Sequence, residues 1–262
     1  MLQSAIAPIP KTSFTFVLCN FRLKLNRSHY INTVFIPQID AFENCLINKV
    51  LVSFDNIAEE SEKIAEKEYD RLGNMPAGDI DFMDMSEVAE KALGKAIIYY
   101  STMNKMKDGI IALFTSGLYH LFEQQIFAFY RKAILPPDER NNISLLNWPE
   151  LKERFKDKGL NLDTLKTFER IEILQLISNV IKHAEGKSAK KLRKYKPAYF
   201  KRDGSILGLG KPFYIDINPL QPLAGEDVKI PLDDFLQYCE DVKEYWQELN
   251  EKLGTLKVRE DT

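Results

Sequence analysis

Three polar side chains close an otherwise greasy segment, "LISNVIKHAEG" (residues 176–186): Asn179, Lys182 and His183. The histidine among them suits proton transfer. An imidazole titrates close to neutral pH and can give or take a proton. Asn179 lies one turn before it, so the two are either a catalytic pair or the polar end of a core helix. Only three histidines occur, His29, His120 and His183. Any imidazole chemistry must use one of them.

The spacing says how these groups are carried. On a helical wheel of about 100° per residue, Glu172, Gln175, Asn179, Lys182, His183 and Gly186 share one sector. Ile173, Leu174, Leu176, Ile177, Val180 and Ile181 cover most of the rest. This predicts a helix buried on most sides, with one narrow polar seam. Groups in such a seam need hydrogen-bond partners. An earlier apolar run, "IIALFTSGLYHLFEQQIFAFY", places Ser116, His120 and Glu123 on one face at i, i+4, i+7. If the two helices pack side by side, His120 and Glu123 are the expected outer partners of Asn179 and His183. A purely structural seam has the same pattern, so the spacing leaves both readings open.

Beyond His183 the chain becomes strongly basic. Lys187, Lys190, Lys191, Arg193, Lys194, Lys196, Lys201 and Arg202 occur with no acidic residue between them. Tyr195, Tyr199 and Phe200 are interleaved. Cations that neutralise phosphates, beside aromatics that can stack on bases, suit a nucleic acid. A solvated helix end and loop is the plainer alternative. The chain as a whole carries only −2, so the positive charge is local.

The remaining elements are set by pattern. At 262 residues the chain can bury a substantial core. Short β-prone runs, "SFTFVL" and "NTVFI", suggest an N-terminal arm or hairpin. Phe42, Leu46, Val50 and Phe54 predict a helix from about residue 39, which becomes highly charged towards Leu72. Asp84 and Glu87 form a plausible capping box for a long helix towards Lys132. Gly94 and Gly109 would divide or kink that helix. A shorter helix begins near Pro149, and Gly186 is the expected stop of the helix that carries His183. "YFKRDGSIL" and "PFYIDIN" predict a small β excursion. A last amphipathic helix spans 232–253, with Phe235, Leu236, Cys239, Val242, Trp246, Leu249 and Leu253 on one face. The expected organisation is an N-terminal arm and charged helix over 1–84, and a mainly α helical bundle over 85–262 with a β excursion before its last helix.

Cys19, Cys45 and Cys239 are too scattered for a zinc or disulfide framework. No signal-like or membrane-spanning stretch is apparent, so a cytoplasmic protein is expected. HExxH, EF-hand, GxSxG and complete phosphate-loop patterns are missing, although "GLGKPF" faintly echoes the last.

The helix "RIEILQLISNVIKHAEG", the basic segment and the closing "FLQYCEDVKEYW", with "GLYHLFEQQIFAFY" before them, resemble the higher eukaryotes and prokaryotes nucleotide-binding (HEPN) superfamily over about residues 85–253. That resemblance implies a helical bundle that pairs through its motif helices. It also implies metal-independent RNA cleavage without a cofactor, in toxin–antitoxin or antiviral defence systems, with an antitoxin or other defence protein as a partner. The family motif is an Arg, about four to six further residues and a His, often with an Asn after the Arg. Here His183 matches the His and Asn179 the Asn. The Arg position falls at Ser178, or at Ile177 or Leu176 for the longer spacings, and none is a cation. Arg170 lies on the opposite side of the wheel, and Lys182 is a point charge rather than a fork. The resemblance therefore admits two functions. One is a ribonuclease with His183 as acid–base, Asn179 orienting, Lys182 and the basic segment on phosphate, and Glu123 and His120 behind. The other is a catalytically inactive module that dimerises or binds a partner, a nucleotide or nucleic acid.

Overall fold

A computed structural model describes residues 27–74, 84–200 and 228–256. Among them every regular element is helical. Of the predicted β runs "YFKRDGSIL" and "PFYIDIN" (residues 199–207 and 212–218), only Tyr199 and Phe200 are described, and they end a 3-10 turn, Pro197–Phe200; the remainder and the run "SFTFVL" lie outside the described residues.

The first helix, α1 (residues 27–54), starts well before the predicted position and includes "NTVFI". The β-prone residues there are overruled by burial. Ile31, Phe35, Ile39, Leu46 and Phe54 recur about every four positions and are all buried. A four-residue repeat drifts off the face of an ordinary α-helix. Two wider π-turns, Ile31–Phe35 and Leu46–Val50, keep the stripe turned inward.

Helix α2 (Ile57–Gly73) runs antiparallel to the first half of α3 (Met85–Phe129), a single helix of 45 residues. Gly94 and Gly109 neither divide nor end it, and a Cβ at either would meet nothing within 4 Å. Asp84 caps it by accepting from the backbone N–H and the hydroxyl of Ser86, so Ser86 rather than Glu87 completes the cap. The α2–α3 hairpin has a thin apolar contact built from Leu72, Val88, Ala92 and Ala96, while Ile57 joins the main core. Glu68 adds ion pairs to Lys95 and Arg71.

The second half of α3 enters the main core with α1, α5 (Phe168–His183) and α7 (Leu232–Leu256). Helix α4 (Trp148–Asp157) flanks this bundle, entered through an Asn147 cap. Trp246 sits at the centre, with its ring 4.5 Å from that of Phe35 and 5.7 Å from that of Phe129. Its indole N–H donates to buried Gln125, whose amide donates in turn to the Phe35 carbonyl and to Gln38. One buried amide therefore joins α1, α3 and α7. Residues 27–54 belong to the same core as the later helices. Lys243 on α7 reinforces this by bridging Asp40 and Glu43 of α1 at 2.6 and 3.1 Å. At Gly117 a Cβ would lie 3.0 Å from the Phe42 ring, so the absent side chain lets α1 and α3 approach closely.

The start of α5 is capped from α7. The Glu248 carboxylate accepts from the backbone N–H groups of Lys166 and Thr167 and from the Thr167 hydroxyl. Burial alone would raise its pKa, but these hydrogen bonds outweigh burial and hold it below the usual glutamate value. An anion at a helix N-terminus is favourable. We expect Glu248→Gln to cost about 1 kcal/mol at neutral pH, as cap losses do. A depressed carboxylate stabilises the fold above its ordinary titration range and loses that contribution as the pH falls through the depressed value. The stability gap between wild type and variant, measured by urea unfolding, should therefore close in acid. A gap of constant size would contradict a charged cap.

Candidate functional site

Helices α3 and α5 do pack side by side, but among the described residues only Gln175 of the predicted polar sector bonds across the contact. Its centre is a hydrogen bond of 2.9 Å between the hydroxyls of Ser116 and Ser178, both buried. One turn along, the Gln175 amide donates to the Tyr119 hydroxyl at 2.7 Å. The position rises on α3 as it falls on α5, so the helices are antiparallel. Glu123 then accepts from Tyr119 and from the Trp148 indole at the start of α4. This contact is closed and internally bonded.

This register corrects the expected pairing. Continued along the two helices, it sets Asn179 opposite Thr115 and His183 opposite Ile111. His120 lies level with Leu174, about 13 Å along the axis from His183 at 1.5 Å per residue. His120 is instead 3.6 Å from Glu123, and Glu123 is committed to Tyr119 and Trp148. Neither can serve as the outer support of His183. Ser178, where the HEPN resemblance would expect an Arg, has no solvent exposure. It fills the contact between α3 and α5 and bonds Ser116 there. Arg170 is held on α7 by Asp241 and Glu244, at 2.9 and 2.6 Å.

Asn179 is half-buried, whereas Lys182 and His183 are exposed at the C-terminus of α5. The helix stops earlier than Gly186. Ala184 takes up a left-handed conformation with φ 54°, costly for a residue with a Cβ, and its N–H donates to the Val180 carbonyl at 2.7 Å. Gly186, at φ 146°, opens a further helix instead. The basic segment is that helix, α6 (Lys187–Tyr195), rather than a loop.

Helix α6 divides its cations into two groups. Ala189 and Leu192 are buried. Arg193 pairs with Glu185 at 3.0 Å and lies 4.9 Å from the Phe200 ring centre. Lys196 is 3.4 Å from Asp234 and faces the Tyr199 and Tyr238 rings. The Tyr199 hydroxyl bonds Asp234 and Tyr238. Burial pushes the Tyr238 phenol up to about 12, so it stays neutral. Arg193 and Lys196 thus fasten the helix. Lys187, Lys190, Lys191 and Lys194 are exposed, and among the described residues they form no ion pair. Their i, i+3, i+4, i+7 spacing makes one solvent-facing stripe. That spacing was available in the sequence but is visible only once the segment is known to be helical. Of the interleaved aromatics, Tyr195 alone is exposed, at 51 %, while Tyr199 and Phe200 are buried.

The stripe works against its own helix. Lys187 and Lys191, like Lys190 and Lys194, are like charges at i, i+4. The first turn has no acidic residue to balance the helix dipole. Local preference and the observed helix therefore disagree along this stripe.

Between α5 and α6 runs a groove of about 320 Å³, lined by Glu169, Glu172, Ile173, Gln175, Leu176, Lys191, Lys194 and Tyr195. No group of three or more His, Cys, Asp or Glu side chains among the described residues is placed to hold a metal ion. No described helix is long and apolar enough to cross a membrane. Compared with protein-family models, curated proteins and solved structures, the chain matches none.

A cation placed at position 178 tests the packing role of Ser178. An arginine there would bury an unpaired charge and overpack the α3–α5 contact. We expect Ser178→Arg to destabilise the fold by about 3–5 kcal/mol in chemical denaturation. A fold of unchanged stability would show that position 178 has room for the cation.

Proposed function

We propose that this chain is a HEPN-like RNA-binding module that holds single-stranded RNA along the α5–α6 corner and does not cut it. The observation that carries the reading is the stripe of Lys187, Lys190, Lys191 and Lys194, exposed, without an ion pair among the described residues and unfavourable to its own helix. Its field is sequence-independent and matches a phosphate backbone. Lys182 and His183 extend it at the end of α5. Arg193 and Lys196 hold α6 in place and do not contact the RNA.

The surroundings of His183 favour binding without cleavage. The cation beside it is Lys182, its neighbour in sequence, and the Arg position is occupied by a buried serine. His120 and Glu123 of α3 lie too far along the seam to support the imidazole. A homodimer formed through α5, an antitoxin or other defence-system partner and a cytoplasmic setting belong to the same HEPN-like reading.

The test is RNA binding by fluorescence anisotropy across a salt series, with the RNA recovered and sized afterwards. Four phosphate contacts should give a log–log salt slope of about −3, at roughly −0.7 per contact for single strands. Lys187→Ala with Lys190→Ala should make the slope shallower by about 1.4. The RNA should be recovered intact from wild type and from His183→Ala alike. Binding that ignores both salt and these lysines would overturn the reading. Cleavage by wild type that is lost in His183→Ala would establish the ribonuclease instead.

A further inference from the structure

The α5–α6 groove has walls of opposite charge that do not neutralise each other. Glu169 and Glu172 stand on α5, one turn apart, and Leu176 continues the same face as an apolar floor. Across the groove stand Lys191, Lys194 and Tyr195 of α6, at i, i+3 and i+4. Among the described residues no ion pair joins the two walls, although four flexible charged side chains line one space. A volume of about 320 Å³ falls at the small end of the range for sites that take an organic ligand. The occupant that satisfies both walls carries an anion at one end and clustered N–H donors at the other, with a flat face between them.

We infer that this groove reads a guanine base of the bound single-stranded RNA. This rests on the RNA-binding reading above and adds a base preference to it. The nucleotide's phosphate lies on Lys191 and Lys194, which belong both to the groove and to the exposed stripe. The base stacks on the half-exposed Tyr195 ring, as unpaired bases do on aromatic side chains. Its Watson–Crick edge then faces Glu172 and Glu169. A carboxylate only accepts hydrogen bonds. Guanine alone presents two adjacent N–H donors on that edge, N1–H and the exocyclic amine, which match the two oxygens of one carboxylate. Adenine and cytosine each offer one amine beside an acceptor. Uracil offers one N–H flanked by two carbonyls that would repel the carboxylate. Asn179 and His183 lie further along the same face of α5, towards the turn into α6, where the neighbouring nucleotide would pass.

The test compares three short RNAs by anisotropy at fixed low salt: a uridine tract, the same tract with one central guanine, and the same tract with one central adenine. Wild type should prefer the guanine tract over plain uridine by about tenfold or more, the usual worth of a bidentate base contact. Adenine should fall between them. Glu172→Gln combined with Glu169→Gln should abolish the preference while binding of the uridine tract holds or rises, because two negative charges leave the groove. Tyr195→Ala should weaken binding of the guanine tract about tenfold. All these positions are exposed, and unchanged thermal melts would show that the variants fold. Equal binding of the three RNAs, or a preference that survives both glutamate substitutions, would overturn the inference while leaving the lysine-stripe reading in place. Absence of binding to any RNA at low salt would remove that reading, and the inference with it.

Discussion

The hydrogen bond between Ser116 and Ser178 sets the geometry on which the rest of this molecule depends. Two small side chains, both buried, let α3 and α5 lie close together and fix them in one antiparallel register. That register places the polar end of α5 beside the middle of α3 and away from Glu123. It leaves Lys182 and His183 at the solvent-facing end of the helix, and it sets the point from which α6 turns back. A long side chain at either serine would separate the helices or bury a charge, so the contact is as much a packing constraint as a hydrogen bond.

From that seam outward, the polar groups have two distinct fates. Those inside are committed to each other: Gln175 to Tyr119, Glu123 to Tyr119 and Trp148, Gln125 to Trp246 and α1. Those on α6 are sorted by helical face. Arg193 and Lys196 reach inward to Glu185 and Asp234, while four lysines face water and form no ion pair among the described residues. The turn between α5 and α6 keeps Ala184 in a left-handed conformation, so the reversal is imposed by surrounding packing rather than by local preference. A helix with repelling lysines and an uncompensated N-terminus is held by what it buries, Ala189 and Leu192, and by its two fastening cations.

Much of the helical architecture was legible in the sequence because strong period-3.6 patterns survive tertiary context. The closing helix with Trp246, the start of α4 near Pro149, the Asp84 cap and the pairing of the Ser116 face with α5 are all rooted in local pattern. The failures have physical causes. "NTVFI" carries β-branched residues, yet Ile31 and Phe35 are drawn into a helix by the core they fill. Gly186 is a reasonable helix stop, but Ala184 takes the strained position first. The facing of His120 and Glu123 towards His183 required a register, and helical spacing within each chain segment does not supply one between segments. The lysine stripe was hidden for a related reason. Six cations in a row of ten residues look like a charged loop until a helix separates the inward pair from the outward four.

Whether RNA lies on the outer face of α6 and the end of α5 is tested most directly by photo-crosslinking. A short single-stranded RNA is crosslinked to the full chain, and the modified residues are mapped by mass spectrometry. Crosslinks should concentrate on Lys187–Tyr195 and on Lys182 and His183, with none on the α2–α3 hairpin. Crosslinks confined to the hairpin, or spread evenly over the surface, would contradict RNA binding at this corner.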